Sequence, residues 1–103
     1  MRVVSWNVNG IRAVIKKDAF KPFVRKTKPD IICLQETKAE QGQAEIDLPK
    51  FEEYWNSAEK KGYSGTGVYS RIAPDNKRIG FGCNEFDPEG RYTRCDFGPL
   101  TII

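Results

Sequence analysis

The spacing of apolar residues changes along the chain, and each change marks an element. Val3, Val4 and Trp6 fall in a β-branched and aromatic run, residues 2–6, that reads as a first strand. Asn7-Val8-Asn9-Gly10 closes it with turn formers. From there Ile11, Ile15, Ala19, Phe23 and Val24 recur at helical spacing. Pro22 is unwelcome in a helix interior, so the pattern predicts a short helical turn, then a helix restarting around residues 18–22 and ended by Lys28-Pro29-Asp30. Ile31-Ile32-Cys33-Leu34 is an unbroken apolar run, as expected of a buried strand, and it stops abruptly at Gln35-Glu36-Thr37-Lys38.

A strand, a helical crossover and a second strand with short connections normally form a parallel pair. Parallel strands bring their C-terminal ends to one sheet edge, which puts Asn7 and Glu36 together where ligands of open α/β sheets bind. Residues 39–50 are polar and irregular and predict a loop with one helical turn. Residues 51–55 read as a strand, and the basic, glycine-rich stretch 60–67 leads into another at Val68-Tyr69-Ser70. A turn at 73–76 precedes a strand expected at 79–83, and Asp87-Pro88-Glu89-Gly90 carries strong turn chemistry. Residues 91–97 alternate, with Tyr92, Arg94 and Asp96 on one face and Thr93, Cys95 and Phe97 on the other. Gly98-Pro99 turns the chain into a last strand beginning at Leu100. The fold class expected is α/β, with antiparallel additions to a mixed sheet. The apolar ending at Ile103 reads as a cut rather than a designed stop.

Composition narrows the chemistry. A chain of 103 residues supports one domain, or part of one, with one modest core. Its 39% hydrophobic and 30% charged residues suit a soluble globular protein. No apolar run approaches the ~20 residues of a membrane span, and no secretory leader opens the chain. A cytoplasmic location with no membrane partner is therefore expected. Cys33, Cys83 and Cys95 lack C-x-x-C spacing and read as buried free thiols. The sequence has no histidine, which excludes His-dependent triads and His-ligated zinc within it and leaves oxygen ligands, amines and phenols. The net charge is only +3, yet Arg12, Lys16, Lys17, Lys21, Arg25, Lys26 and Lys28 crowd one segment. Such a stripe suits a polyanion, or it is simply a solvated helix face.

Glu36 with Asn7, and Asn9 nearby, offers a hard, oxygen-only donor group of the kind magnesium prefers. The plainer reading of Glu36 is a polar strand terminus. The 60–67 loop could meet phosphates with its backbone amides, although it lacks P-loop spacing and also reads as a turn. Arg91 could contact a phosphate or pair at the surface with Glu89 or Asp96.

Four motifs occur in a recognisable order: Ser5-Trp6-Asn7-Val8-Asn9-Gly10-Ile11-Arg12-Ala13, Leu34-Gln35-Glu36-Thr37-Lys38, Gly62-Tyr63-Ser64-Gly65-Thr66-Gly67 and Glu89-Gly90-Arg91. Together they resemble the exonuclease III type of apurinic/apyrimidinic DNA repair endonucleases, within the endonuclease/exonuclease/phosphatase superfamily. The Pro74-Asp75-Asn76 turn and Arg94-Cys95-Asp96-Phe97 resemble bacterial members. The resemblance implies half of a four-layered α/β sandwich, a mixed sheet with helices on one face, so that residues 1–103 form the N-terminal half of a single domain. It also implies Mg²⁺ (or Mn²⁺) held by Glu36 with Asn7 beside it. Asn9 stands where many relatives carry an aspartate, and an amide is the weaker ligand. Arg12, Ala13, Lys17, Lys38, Gly62, Tyr63 and Arg91 match positions that grip the DNA backbone. The activity implied is Mg²⁺-dependent cleavage 5′ to abasic sites with 3′→5′ exonuclease action, on double-stranded DNA carrying abasic sites or 3′ ends. The family's catalytic tyrosine, its Asp-x-Asn motif and its Asp-His pair would lie beyond Ile103, so these residues alone are expected to be inactive. Two alternatives stand beside this reading. One is a non-catalytic, truncated or split DNA-binding half that pairs with a C-terminal half or a second copy. The other is a phosphomonoesterase or lipid phosphodiesterase of the same superfamily.

Overall fold

A computed structural model describes residues 1–44 and 46–103. The first strand, β1 (Val3–Asn7), is followed by helices α1 (Ile11–Lys16) and α2 (Phe20–Thr27) and by strand β2 (Ile31–Gln35). Strands β1 and β2 are parallel, with Asn7 level with Gln35, as the strand–helix–strand pattern predicts. Asp18 adopts a left-handed φ of 53°, which separates the two helices. Pro22 lies in the first turn of α2, where a missing N–H costs little.

Strands β3 (Glu52–Asn56) and β4 (Thr66–Ser70) complete a four-stranded mixed sheet of order β1-β2-β4-β3. Strand β2 lies inside it, and alternation splits its side chains between two cores. Ile32 and Leu34 pack with Val8, Ile11, Phe20, Trp55 and Tyr69 on the helix side. Trp6 braces α2 from the same side, its ring 4.6 Å from that of Phe23. Ile31 joins Val68, Cys95 and Phe97 on the other face. Full burial of an Ile or Leu side chain stabilises by about 1.5–3 kcal/mol. The strand that ends in the site is thus held from both sides.

The second core exists because strands β5 (Asn76–Ile79), β6 (Thr93–Phe97) and β7 (Leu100–Ile102) form an antiparallel sheet packed there. Thr93, Cys95 and Phe97 face inward, as their alternation predicts. The layers are helices, mixed sheet, antiparallel sheet, which is the α/β class with helices on one face of a mixed sheet. Among the described residues, no helix is long and apolar enough to cross a membrane.

Three expectations need correction. The strand expected at 79–83 lies instead at Asn76–Ile79. The alternation Ile79-Gly80-Phe81-Gly82-Cys83 imitates a strand, but Gly80 and Gly82 both take φ of 82° and the backbone curls. Its N–H groups at Phe81, Gly82 and Cys83 donate to the Asp87 carboxylate rather than to a neighbouring strand. The cysteines are free, but only Cys95 is buried, while Cys33 and Cys83 are half-buried. The helical turn expected within 39–50 is replaced by bends and hydrogen-bonded turns, and residue 45 of that stretch lies outside the described residues.

Candidate functional site

The parallel pairing of β1 and β2 brings two polar ends to one edge, and the loops leaving them are stitched together by backbone. Val8, Gly10 and Ile11 donate their N–H groups to the carbonyls of Gln35, Glu36 and Thr37, the bonds spanning 2.8–3.0 Å. Thr37 and Lys38 in turn donate to Gly65 and Ser64. Three segments distant in sequence are therefore fixed against one another at this edge.

That fixation holds an unusual backbone. Among the described residues, six non-glycine residues take positive φ, and four of them, Asn9 (44°), Glu36 (52°), Lys38 (53°) and Ser64 (49°), lie at this edge. Left-handed backbone costs an L-residue roughly 1–2 kcal/mol. Such residues persist where surrounding structure over-determines them, and they cluster at functional sites.

Several polar side chains converge here. Asn7 Nδ2 donates to Glu36 Oε1 at 3.0 Å, and the Asn9 backbone N–H donates to Asn7 Oδ1 at 3.1 Å. Lys38 Nζ donates to Asn9 Oδ1 and lies 3.9 Å from Glu36 Oε2. Arg12 reaches over to donate to the Lys38 carbonyl at 3.0 Å. Asn7, Asn9, Arg12, Glu36 and Lys38 are thus one connected group. Ala13 and Lys17 are exposed at α1 and its C-terminal end.

The oxygen donor set at this edge is small. It offers one carboxylate and one amide oxygen; the amide turns Nδ2 to Glu36 while Oδ1 accepts the Asn9 N–H, and the Lys38 ammonium, 3.9 Å from Glu36 Oε2, is a competitor that a cation would have to displace. Among the described residues, no cluster of three or more His, Cys, Asp or Glu could hold a metal. Magnesium commonly takes one or two protein oxygens and fills its octahedron with water and phosphate oxygens, so two donors are compatible with it.

Tyr63 and Arg91 form a second group, beside the loop that Lys38 is bonded to. Arg91 donates to the Tyr63 hydroxyl at 2.9 Å, and its guanidinium lies 5.7 Å from the ring centroid. The Tyr63 hydroxyl donates onward to Glu89 Oε1 at 3.1 Å. Lys60 Nζ lies 5.2 Å from the same ring. Of the two partners considered for Arg91, Glu89 is the one present, at 3.8 Å, while Asp96 is taken by Arg94 at 3.0 Å. Gly62 is exposed in the same loop. Arg91 also lines a cleft of about 130 Å³ between the two sheets, together with Gln35, Thr66 and Thr93.

The basic stripe divides. Arg12 belongs to the site edge, but α2 runs away from it. Its end is tied to the strand beginnings, where Arg2 Nη1 donates to the Thr27 carbonyl and Asp30 N–H to the Arg2 carbonyl. Arg25, Lys26 and Lys28 therefore lie towards the opposite edge. Lys60 and Glu89 were not singled out as site residues from the sequence. Residue 63 lies 26 positions from Glu89, and no local pattern links them. Burial pushes the Cys33 and Cys95 thiols up, so neither is a ready nucleophile.

Known proteins resemble this chain in sequence and in fold. Residues 4–103 match the model described as the Endonuclease/Exonuclease/phosphatase family. An exodeoxyribonuclease of Bacillus subtilis is 46% identical over 103 residues, covering all of this chain and 41% of the relative. The DNA repair nuclease APEX1 of Danio rerio is 41% identical over 108 residues, again covering the whole chain and 34% of the relative. Among solved structures, a 3′-5′ exonuclease (NExo) from Neisseria meningitidis superimposes with a TM-score of 0.79 over 98% of this chain and 39% of that one. At 24% identity that match speaks for the fold. The chain spans about two-fifths or less of these proteins.

Proposed function

Because the chain belongs to the endonuclease/exonuclease/phosphatase family, we propose that it forms the N-terminal half of a DNA repair nuclease domain. In the whole protein the reaction is Mg²⁺-dependent hydrolysis of DNA phosphodiesters 5′ to abasic sites, with 3′→5′ exonuclease activity, in the cytoplasm. The observation that carries the proposal is the Asn7–Glu36 contact at the shared edge of β1 and β2, on a backbone over-determined by three segments.

Glu36 and Asn7 would hold the divalent ion. When bound, such an ion neutralises phosphate charge and stabilises a leaving oxygen. The chain's own residues do the positioning. Asn9 fixes the Asn7 amide through its backbone N–H and fixes the Lys38 ammonium through its side chain. Arg12, Lys38 and Arg91, with Ala13, Lys17, Gly62 and Tyr63, would lie along the DNA backbone, giving a sequence-independent and salt-dependent affinity. DNA is favoured over a phosphorylated small molecule by the likeness to an exodeoxyribonuclease and a DNA repair nuclease.

For the 103 residues alone we expect weak DNA binding and no turnover, since removing several members of a catalytic unit costs many orders of magnitude. The test is a nicking assay on an abasic duplex with Mg²⁺. The chain alone should leave the duplex intact, and addition of a polypeptide supplying the remainder of a longer relative should restore nicking that Glu36→Gln abolishes. Inositol phosphates serve as competing substrates in the same mixture. Mg²⁺-dependent nicking by the purified chain alone would contradict the half-site proposal, and hydrolysis of inositol phosphates in preference to DNA would contradict the substrate.

A further inference from the structure

The Tyr63–Arg91 pair poses a question of sign. If Arg91 meets a DNA phosphate, a carboxylate 3.8 Å from it ought to weaken the contact. Yet Glu89 is tied in more firmly than a bystander needs to be. Its Oε1 accepts the Tyr63 hydroxyl, and that hydroxyl also accepts from Arg91, so the phenol is gripped between the two.

The backbone under this group is equally fixed. Glu89 and Arg91 flank Gly90, whose φ is 63°. A Cβ at Gly90 would fall 2.4 Å from the Ala58 nitrogen and 2.6 Å from the Ser57 carbonyl carbon, so no side chain fits there. The Glu59 N–H donates to the Pro88 carbonyl at 2.8 Å, clamping the turn to the segment that carries Lys60. Two turns remote in sequence are thereby locked together, with Lys60 and Arg91 both near the Tyr63 ring.

From this geometry we infer that Glu89 is a positioning residue, whose carboxylate holds Tyr63 and Arg91 as one rigid unit facing the phosphate backbone, with Lys60 as a further cation on that unit. The inference rests on the DNA-binding reading given above. An exposed ion pair by itself contributes little stability. The value of this one is orientation: it spends the rotamer freedom of Arg91 before the ligand arrives, which lowers the cost of binding.

The experiment measures the affinity of the chain for a duplex containing an abasic-site analogue, by fluorescence anisotropy over a range of salt concentrations. The proteins compared are the unaltered chain, Glu89→Ala, Glu89→Gln, Arg91→Ala, Lys60→Gln and the double variant Glu89→Ala/Arg91→Ala, each checked for folding by circular dichroism. Glu89→Ala should weaken binding by roughly three- to tenfold although it removes a negative charge, and should lower the salt slope by about one, as for a lost phosphate contact. Glu89→Gln should fall between it and the unaltered chain. In the Arg91→Ala background the same change should have little further effect, because the two residues act as one unit. Lys60→Gln should lower the slope as well. Tighter binding by Glu89→Ala, or an equal loss in both backgrounds, would overturn the positioning role and leave the DNA reading standing. No salt-dependent binding by the unaltered chain would overturn both.

Discussion

The site edge and the loop at residues 80–87 both depend on left-handed backbone, but they fill it with different residues. In the loop the positions are Gly80 and Gly82, which take positive φ without a steric cost. At the site edge they include Asn9, Glu36, Lys38 and Ser64, which do not. The loop is satisfied locally, its amides gathered on Asp87 within a few residues. The edge is held by backbone bonds from segments far apart in sequence. The contrast separates a loop that is merely shaped from one that is forced, and in the forced loop the costly positions bear the polar side chains.

The largest effect should come where the two kinds of position meet closest packing. A Cβ on Gly65 would lie 2.3 Å from Thr37 Oγ1, which is buried, whereas one on Gly82 would approach only the flexible end of Arg78, at 3.1 Å. Gly65→Ala should therefore cost about 3 kcal/mol or more, and Gly82→Ala about 1 kcal/mol, in urea denaturation. Similar losses for the two would erase the distinction.

Asp87→Ala comes next, removing the acceptor of three backbone N–H groups. It should cost about 2 kcal/mol and speed amide exchange at residues 81–83 while leaving residues 35–38 protected. Loss of protection at both places would mean that the loops are not independent.

Lys38→Gly sharpens the comparison in the opposite direction. Relief of left-handed backbone should raise stability by about 1 kcal/mol while weakening DNA binding. A destabilised protein would show that Lys38 is held by favourable contacts rather than forced.

The smallest effect concerns pH. Hydrogen bonds from Arg94 and Thr101 hold the Asp96 carboxyl below the usual carboxylate range. A depressed folded-state pKa contributes stability above the unfolded value and loses it as pH falls through the folded one. The second sheet should accordingly loosen below the ordinary carboxylate range, and Asp96→Asn should flatten that dependence in thermal melts. An unchanged acid limb would remove Asp96 as its source.

Much of the site was legible in sequence because it depends on chain order. Apolar periodicity gave a strand, a crossover and a parallel strand, and parallel pairing alone places Asn7 beside Glu36. Handedness of the backbone was not legible. Nothing in Gln35-Glu36-Thr37-Lys38 announces two residues at positive φ, since that state is imposed by segments at residues 7–11 and 64–65. The Tyr63–Glu89 bond was hidden for the same reason, as it appears only once the second sheet packs on the first. The misplaced strand at 79–83 shows the converse failure. Its alternation came from glycines, which supply no side chain to bury and instead let the backbone wrap around Asp87.

The proposed divalent-metal site has Asn7 and Glu36 as one side on this edge. Its most direct test is an NMR titration of the chain with Mn²⁺ at concentrations low enough to broaden only nearby amides. Broadening should centre on residues 7–9 and 36–38, be displaced by Mg²⁺ and vanish in Glu36→Gln. Broadening centred elsewhere, or unchanged in Glu36→Gln, would contradict the claim.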